Sequence, residues 1–317
     1  MKPYSGTRSA FTYALLEMAK DNPDIMFISS DSLKAMRAVP FAQQYPERYV
    51  ETGISEQCAV DVAAGLASTG LMPFVGTYAG FLTMRACEQM RTFVAYPNLN
   101  VKFIGLNGGL LGGEREGVTH QFYEDVAILS AIPNFTILTP ADPQQTYEAV
   151  KYAATIPGPV YIRAASGREE DFYPENTPFS PDGCRVVTSY GEKNLILSSG
   201  FILGKAVKAA EALHEKGIET TVVDVNIIGH KNPEQLISLI RKAERAVTIE
   251  DHSVHGGLGA YIAELVCANH PIPMERLGLK DTFGESGTAQ ELLDKYGISA
   301  EKLIETVEKM LQTEGKG

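Results

Sequence analysis

Short apolar runs alternate with longer stretches of helical period along almost the whole chain, and this alternation limits the fold more than any other feature. Asp24–Ser30, Met72–Gly76, Val101–Leu106, Phe135–Thr139 and Pro159–Arg163 read as strands. Their runs are continuous rather than alternating, as a strand covered on both faces requires. Between them lie helical patterns. In Thr7–Asn22, the side chains of Phe11, Leu15 and Met18 share one face. Ser55–Ser68 and Ala79–Tyr96 repeat the pattern, and Pro143–Ala154 opens with Asp142 as N-cap and Pro143 in the first helical position. Strands alternating with helices predict a mainly parallel sheet with helices on both sides.

The rhythm breaks over 167–191, which carries Pro174, Pro178 and Pro181 and no clear period. It then restarts. Leu195–Ser198, Thr220–Val225 and Ala246–Glu250 read as strands, and Phe201–Lys216, Pro233–Lys242 and Leu258–Ala268 as helices. A last helix is expected over Gln290–Gln312. The prediction is α/β: two three-layer α/β/α domains with mainly parallel sheets, over 1–167 and 190–317, joined by a linker at 168–189. A chain of 317 residues is ample for two such cores.

Composition excludes several roles. The net charge is −11 with no long basic run, which argues against a nucleic-acid partner. Cys58, Cys87, Cys184 and Cys267 are far apart, so neither a zinc site nor a disulfide framework is expected. The N-terminus lacks a signal-peptide core, and no apolar run approaches the roughly 20 residues that span a bilayer. A soluble cytoplasmic protein with no membrane partner is expected.

Three segments carry candidate chemistry. In Glu51-Thr52-Gly53-Ile54-Ser55-Glu56-Gln57 a strand end meets a glycine, and a helix starts with a carboxylate in its first turn. Open parallel sheets bind ligands at such strand ends, although Glu56 equally suits a purely structural place at a helix N-terminus. Thr77-Tyr78-Ala79-Gly80-Phe81 puts two aromatics on one side of a helix start, an arrangement that core packing also explains. Asn107–Gln121 has five glycines in its first eleven residues, ending in Gly117-Val118-Thr119-His120-Gln121. Glycines let backbone approach a ligand closely, but a flexible surface loop fits as well.

Together, and in that order, the three segments resemble the pyrimidine-binding domain of transketolases and 1-deoxyxylulose-5-phosphate synthases. Ile132-Pro133-Asn134-Phe135, Thr139-Pro140-Ala141-Asp142 and Gly158–Arg163 extend the likeness. Thr248-Ile249-Glu250-Asp251-His252 with Gly256–Gly259, and Phe283-Gly284-Glu285-Ser286-Gly287, resemble the family's C-terminal domain.

The resemblance implies thiamine diphosphate as cofactor. It casts Glu56 as the acid that bonds the pyrimidine ring nitrogen and His120 as a catalytic group beside the reacting centre, able to bond substrate oxygens. Tyr78 and Phe81 would hold the flat ring, with Ile54 beside it. Arg163 would hold the distal phosphate of the substrate, and Asp31 would line the site. The family also binds diphosphate through Mg2+ on an N-terminal domain with a G-D-G motif and a downstream asparagine, and neither motif occurs in this chain. The resemblance therefore implies a split enzyme, with metal and diphosphate held by an N-terminal partner subunit. Two such pairs would form a heterotetramer acting on small sugar or sugar-phosphate substrates.

The loop before His120 departs from the family pattern. Asn107 stands where ordinary transketolases carry a histidine, and Glu114-Arg115-Glu116-Gly117 replaces an acidic pair. Arg115 and Glu116 become candidate substrate contacts. The leading expectation is a subunit that moves a two-carbon ketol unit from a ketose to an aldose. The alternatives are the β-subunit of a 2-oxo acid dehydrogenase, a deoxyxylulose-phosphate synthase-like subunit, and a catalytically idle, partner-binding paralogue. Thr119-His120-Gln121 and the Phe283–Gly287 tail argue against the first of these, and Glu56 against the last.

Overall fold

The computed structural model describes residues 3–113, 116–167, 169 and 171–314. Its strands are β1 (Ile25–Ser29), β2 (Tyr49–Glu51), β3 (Met72–Tyr78), β4 (Lys102–Leu106), β5 (Thr136–Leu138), β6 (Val160–Arg163), β7 (Arg185–Ser189), β8 (Asn194–Ser198), β9 (Thr220–Asp224), β10 (Ile227–Ile228), β11 (Arg245–Ser253) and β12 (Met274–Leu279). They form a seven-stranded sheet in the order β10-β5-β6-β4-β3-β1-β2 and a five-stranded sheet in the order β12-β11-β8-β9-β7. All pairings are parallel except β10 on β5 and β7 on β9. The helices are α1 (Thr7–Asp21), α2 (Val39–Gln44), α3 (Glu56–Ser68), α4 (Cys87–Gln89), α5 (Asp125–Ser130), α6 (Pro143–Thr155), α7 (Leu203–Glu215), α8 (Glu234–Lys242), α9 (Leu258–Asn269), α10 (Ala289–Lys295) and α11 (Ala300–Glu314).

Successive residues of each central strand point into different cores, which is why the strands are apolar throughout. Phe27, Phe74 and Ile104 join Phe11 and Leu15 of α1 and Val150 of α6 on one face. Ile28, Val75 and Phe103 join Val60 and Ala63 of α3 and Val126 of α5 on the other. That second core continues across the domain seam into Leu197, Val223 and Leu258. The two-residue strand β10, contributed by the second domain, pairs with β5 of the first sheet. The domains are thus joined by a shared core and a shared sheet. Among the described residues no helix is long and apolar enough to cross a membrane.

Four expectations need correction. Arg185–Ser189, read as linker, is an edge strand paired with β9; its burial alternates, so it lacks the fully apolar run that marks the central strands. The C-terminal stretch is two helices, α10 and α11, separated at Gly297, whose φ of 70° stops the first. The helix expected over Ala79–Tyr96 is interrupted by wide turns at Phe81–Arg85 and Met90–Ala95, and Tyr96 N–H donates to Arg91 O, five residues back, at 2.9 Å. Finally, β12 was not foreseen, because polar residues interrupt its apolar ones.

The linker is also docked rather than loose. Asp142, buried at the start of α6, accepts the Phe172 and Tyr173 amides at 2.9 and 2.7 Å. The Tyr173 hydroxyl donates to Asp224 Oδ2 at 2.8 Å. Burial pushes the Asp224 carboxyl up to about 7, with the Tyr173 hydrogen bond opposing. The folded chain therefore keeps a proton there that the unfolded chain releases near pH 4. This contribution to stability is complete below that value and is lost as the pH rises through about 7. Thermal midpoints at about pH 5 and about pH 8 should fall further in the wild type than in Asp224→Asn. Equal falls would show that Asp224 does not titrate in this way.

Candidate functional site

The chain reverses direction across the first sheet at β1. From β1 it moves out to the edge strand β2, crosses back through α3 to β3 on the other side of β1, and continues to β4. The loops that leave β1 and β3 diverge there and open a crevice at the carboxyl ends of the strands. The Ser32 and Thr77 hydroxyls bridge its floor at 2.8 Å. On the β2 side, Ser30 Oγ donates to Gly53 O at 2.7 Å and accepts the Ser55 amide at 3.1 Å. Gly53 itself has φ 68°. This turn sets the first residue of α3, Glu56, against the crevice.

Glu56 is 5% exposed although it is charged and near the surface. Its Oε1 accepts from Arg85 Nη1 at 3.0 Å. The Arg85 guanidinium carbon also lies 3.8 Å from the centroid of the Phe81 ring. Phe81 is 5.4 Å from Tyr78, centroid to centroid, and 5.4 Å from His120. Tyr78 and His120 meet edge to face at 5.1 Å. The structure therefore brings together Glu56, Tyr78, Phe81 and His120, which the sequence separates by up to 64 positions. His120 Nδ1 lies 3.0 Å from Thr119 Oγ1. A buried carboxylate at one edge, aromatic faces beside it and an imidazole at the rim form a shelf that suits a flat, hydrogen-bonding heterocycle.

Residues 107–113, the first part of the glycine-rich segment after β4, are closely packed. A Cβ at Gly112 would lie 2.1 Å from Asn107 Cα, so the loop folds back on its own start. Asp251, at the end of β11 in the second domain, accepts the Leu110 and Leu111 amides at 2.9 and 3.2 Å. From the other side, Gln121 Nε2 donates to Glu285 O at 2.8 Å, and the Tyr123 hydroxyl accepts the Gly284 amide at 3.0 Å. The second domain thus braces the segment that carries His120.

Arg163 is the main correction at the site. It was expected to reach a substrate phosphate, but it is 5% exposed and turned into the domain seam. Its Nε donates to both oxygens of Asp125, at 3.1 and 2.9 Å, and its Nη2 to Phe122 O and Asp251 O, at 3.3 and 2.9 Å. The Tyr161 hydroxyl also donates to Asp125, at 2.7 Å. Burial, the largest single influence, would raise the Asp125 carboxyl, but the Arg163 charge together with His252 and the hydrogen bonds from Arg163 and Tyr161 outweighs it, and the net shift is downward. His252 borders the pair, its Nε2 3.8 Å from Asp125. Its Nδ1 lies 2.7 Å from Ser253 O and its Nε2 accepts the Ala127 amide at 3.4 Å, the pattern of a neutral ring. Burial pushes His252 down to about 4.

Sequence reading missed a different arginine. Arg8, in the first turn of α1, sends Nη2 to Asn107 Oδ1 at 2.7 Å and Nη1 to Ala35 O at 3.3 Å. It therefore lies beside the carboxyl end of β4 and the loop that follows β1. Asp31 is exposed at the end of β1 with φ 48°, its amide donating to Glu51 Oε1 at 2.7 Å. Ile54 is 76% exposed beside Glu56. Glu116 is exposed on the rim. Arg115 lies outside the described residues.

Comparison with known proteins identifies the family of both domains. Residues 5–167 match the family described as transketolase, pyrimidine binding domain, and residues 183–303 the one described as transketolase, C-terminal domain. The 6-deoxy-6-sulfo-D-fructose transketolase subunit of Clostridium sp. strain MSTE9 is 34% identical, over 94% of this chain and 92% of its own length. An apulose-4-phosphate transketolase subunit of Phocaeicola vulgatus is also 34% identical, over 94% and 95%. A solved split-gene transketolase, described as an inactive beta4 tetramer, superposes with a TM-score of 0.85 at 35% identity, covering 98% of this chain and 99% of that one.

The brace from Asp251 can be tested without turnover. Asp251→Asn keeps one acceptor oxygen and removes the charge. It should destabilise the chain by about 1–3 kcal/mol in denaturant titrations and speed amide exchange at Leu110 and Leu111 ahead of the core. Unchanged exchange at those two amides would refute the brace.

Proposed function

The chain belongs to the transketolase family, and on that premise we propose that it is the pyrimidine-binding subunit of a split transketolase. It would move a two-carbon ketol unit from an anionic ketose donor to an aldose acceptor with thiamine diphosphate. A second chain would hold the diphosphate and Mg2+. The observation that carries this reading is the burial of Glu56 at the start of α3, within one cluster with Tyr78, Phe81 and His120.

The cofactor supplies the carbon nucleophile when bound. The chain's own residues prepare the surroundings. Glu56 presents a carboxyl oxygen to the ring nitrogen and takes part in the proton balance of the ring. Tyr78 and Phe81 flank the ring and exclude water from it. His120, at the rim, is placed to exchange hydrogen bonds and protons with substrate oxygens, as imidazole can near neutral pH. Arg8, held beside the carboxyl end of β4 by Asn107, takes over the anion-binding role first expected of Arg163, which is committed to Asp125. Asp31 and Glu116 stay as rim contacts for the sugar.

The shelf is open on the side away from the sheet. Ile54, Met84 and Val118 are 76, 45 and 44% exposed around it. Large apolar side chains left in solvent mark a surface that another chain covers. Both relatives are themselves named as subunits, of enzymes whose named substrates are a sulfonated and a phosphorylated sugar. An anionic sugar is therefore the expected substrate class, and a heterotetramer with the diphosphate-binding subunit the expected assembly.

Co-purification with that subunit and assay against a panel of sulfonated and phosphorylated ketoses tests the proposal. Glu56→Gln should lower kcat by about 10²-fold or more; near-normal turnover would remove Glu56 from the mechanism. Arg8→Ala should raise KM for the anionic donor by roughly tenfold or more while changing kcat less. An unchanged KM would return the anion site to another residue.

A further inference from the structure

Arg85 occupies a position that neither the sequence motifs nor the proposed mechanism uses. It sits on the wide turn Phe81–Arg85, four residues after Phe81. One Nη atom donates to the buried Glu56 carboxylate at 3.0 Å, while the central carbon of the same guanidinium lies over the Phe81 ring, 3.8 Å from its centroid. The other aromatic neighbours of Phe81 approach it edge-on or tilted. Tyr78, His120 and Phe122 make interplanar angles of 58, 72 and 70°. The guanidinium carbon is what lies over the ring face. A guanidinium is planar, cationic and a donor along its edge. It therefore makes at once the two contacts that a flat nitrogen heterocycle would make with Glu56 and Phe81.

We propose that Arg85 is an internal competitor for the pyrimidine slot, which cofactor must displace to reach Glu56 and the face of Phe81. The proposal rests on the reading of the shelf as the pyrimidine site. Its basis is geometric. A ring that touches both the Glu56 carboxylate and that face of Phe81 overlaps the volume the guanidinium fills. The Arg85 side chain is 50% exposed, so it can swing into solvent, whereas Glu56 at 6% cannot. Displacement exchanges one charge-assisted hydrogen bond and one cation–π contact for their counterparts on the ring. It leaves Glu56 paired throughout, which avoids an isolated buried carboxylate. Arg85 thus keeps the acid in place until the ring arrives, and lowers the apparent affinity for cofactor by the strength of its own contacts.

The test is calorimetric titration of thiamine diphosphate with Mg2+ into the full heteromer. Arg85→Ala should bind roughly fivefold or more tightly than wild type. Arg85→Lys keeps the charge without the plane and should fall between them. In a Glu56→Gln background most of the Arg85→Ala gain should disappear. Unchanged or weaker binding by Arg85→Ala overturns the proposal, since a residue that supports the ring, or never meets it, gives that result. A second measurement uses this chain alone. Thermal midpoints of Arg85→Ala, Glu56→Gln and the double variant should be non-additive, and additive shifts would also overturn it. If the wild-type heteromer binds no thiamine diphosphate, the functional reading itself fails and the competition falls with it. The chain-alone cycle still reports whether the Arg85–Glu56 contact exists.

Discussion

The arrangement of the site depends on an ion pair that water does not reach. Asp125 is fully buried and Arg163 nearly so, and the cost of removing both charges from water is offset because each has several partners. Asp125 takes Arg163 and the Tyr161 hydroxyl, and Arg163 adds the carbonyls of Phe122 and Asp251. Those two carbonyls belong to different domains. The pair therefore fixes the second domain against the segment that leads from His120 into α5. Gly108 has to be glycine for the same reason, because a Cβ there would lie 2.8 Å from the Arg163 side chain. A single arginine at a strand end thus aligns the glycine-rich loop, the His120 segment and the end of β11.

This alignment makes the second domain part of the support of the site. Glu250, Asp251 and His252 are consecutive, all buried, and each serves a different neighbour. Glu250 accepts the first amides of α9, at 2.7 and 2.8 Å. Asp251 holds the glycine-rich loop, and His252 accepts the Ala127 amide in α5. Burial pushes Glu250 up to about 7 and His252 down to about 4. Both shifts favour the neutral form, as expected where desolvation outweighs the available partners. The two titrations oppose one another in their effect on stability between those values. Arg163 then remains the principal charge facing Asp125, which keeps that pair from being disturbed by its neighbours.

Much of this was legible in the sequence, and the limits were physical. Parallel strands buried on both faces announce themselves as apolar runs, so every central strand was found. Edge strands such as β7 and β12 alternate or carry charge, and those were lost. Glu56, Tyr78, Phe81 and His120 were picked out because their three segments, in that order, resemble a transketolase pyrimidine-binding domain; taken singly, each suited a structural place as well. Arg163 ends a strand, but a strand-end arginine has the same signature whether it faces the crevice or the seam. Its direction depends on Asp125, which lies on another element and gave no signal of its own. Arg8 was missed for the converse reason. An arginine in the first turn of an N-terminal helix is ordinary, and only the return of α1 over the sheet brings it to Asn107.

Asn107 shows how one departure from the family pattern can satisfy two demands. Its φ is 58°, a left-handed conformation that asparagine tolerates better than most side chains. The backbone needs that turn because β4 ends there and the loop must fold back until Gly112 meets Asn107 itself. The side chain is 1% exposed and must find a partner, and its amide oxygen takes Arg8 at 2.7 Å. The same atom that satisfies a buried amide therefore also holds a guanidinium beside the carboxyl end of β4.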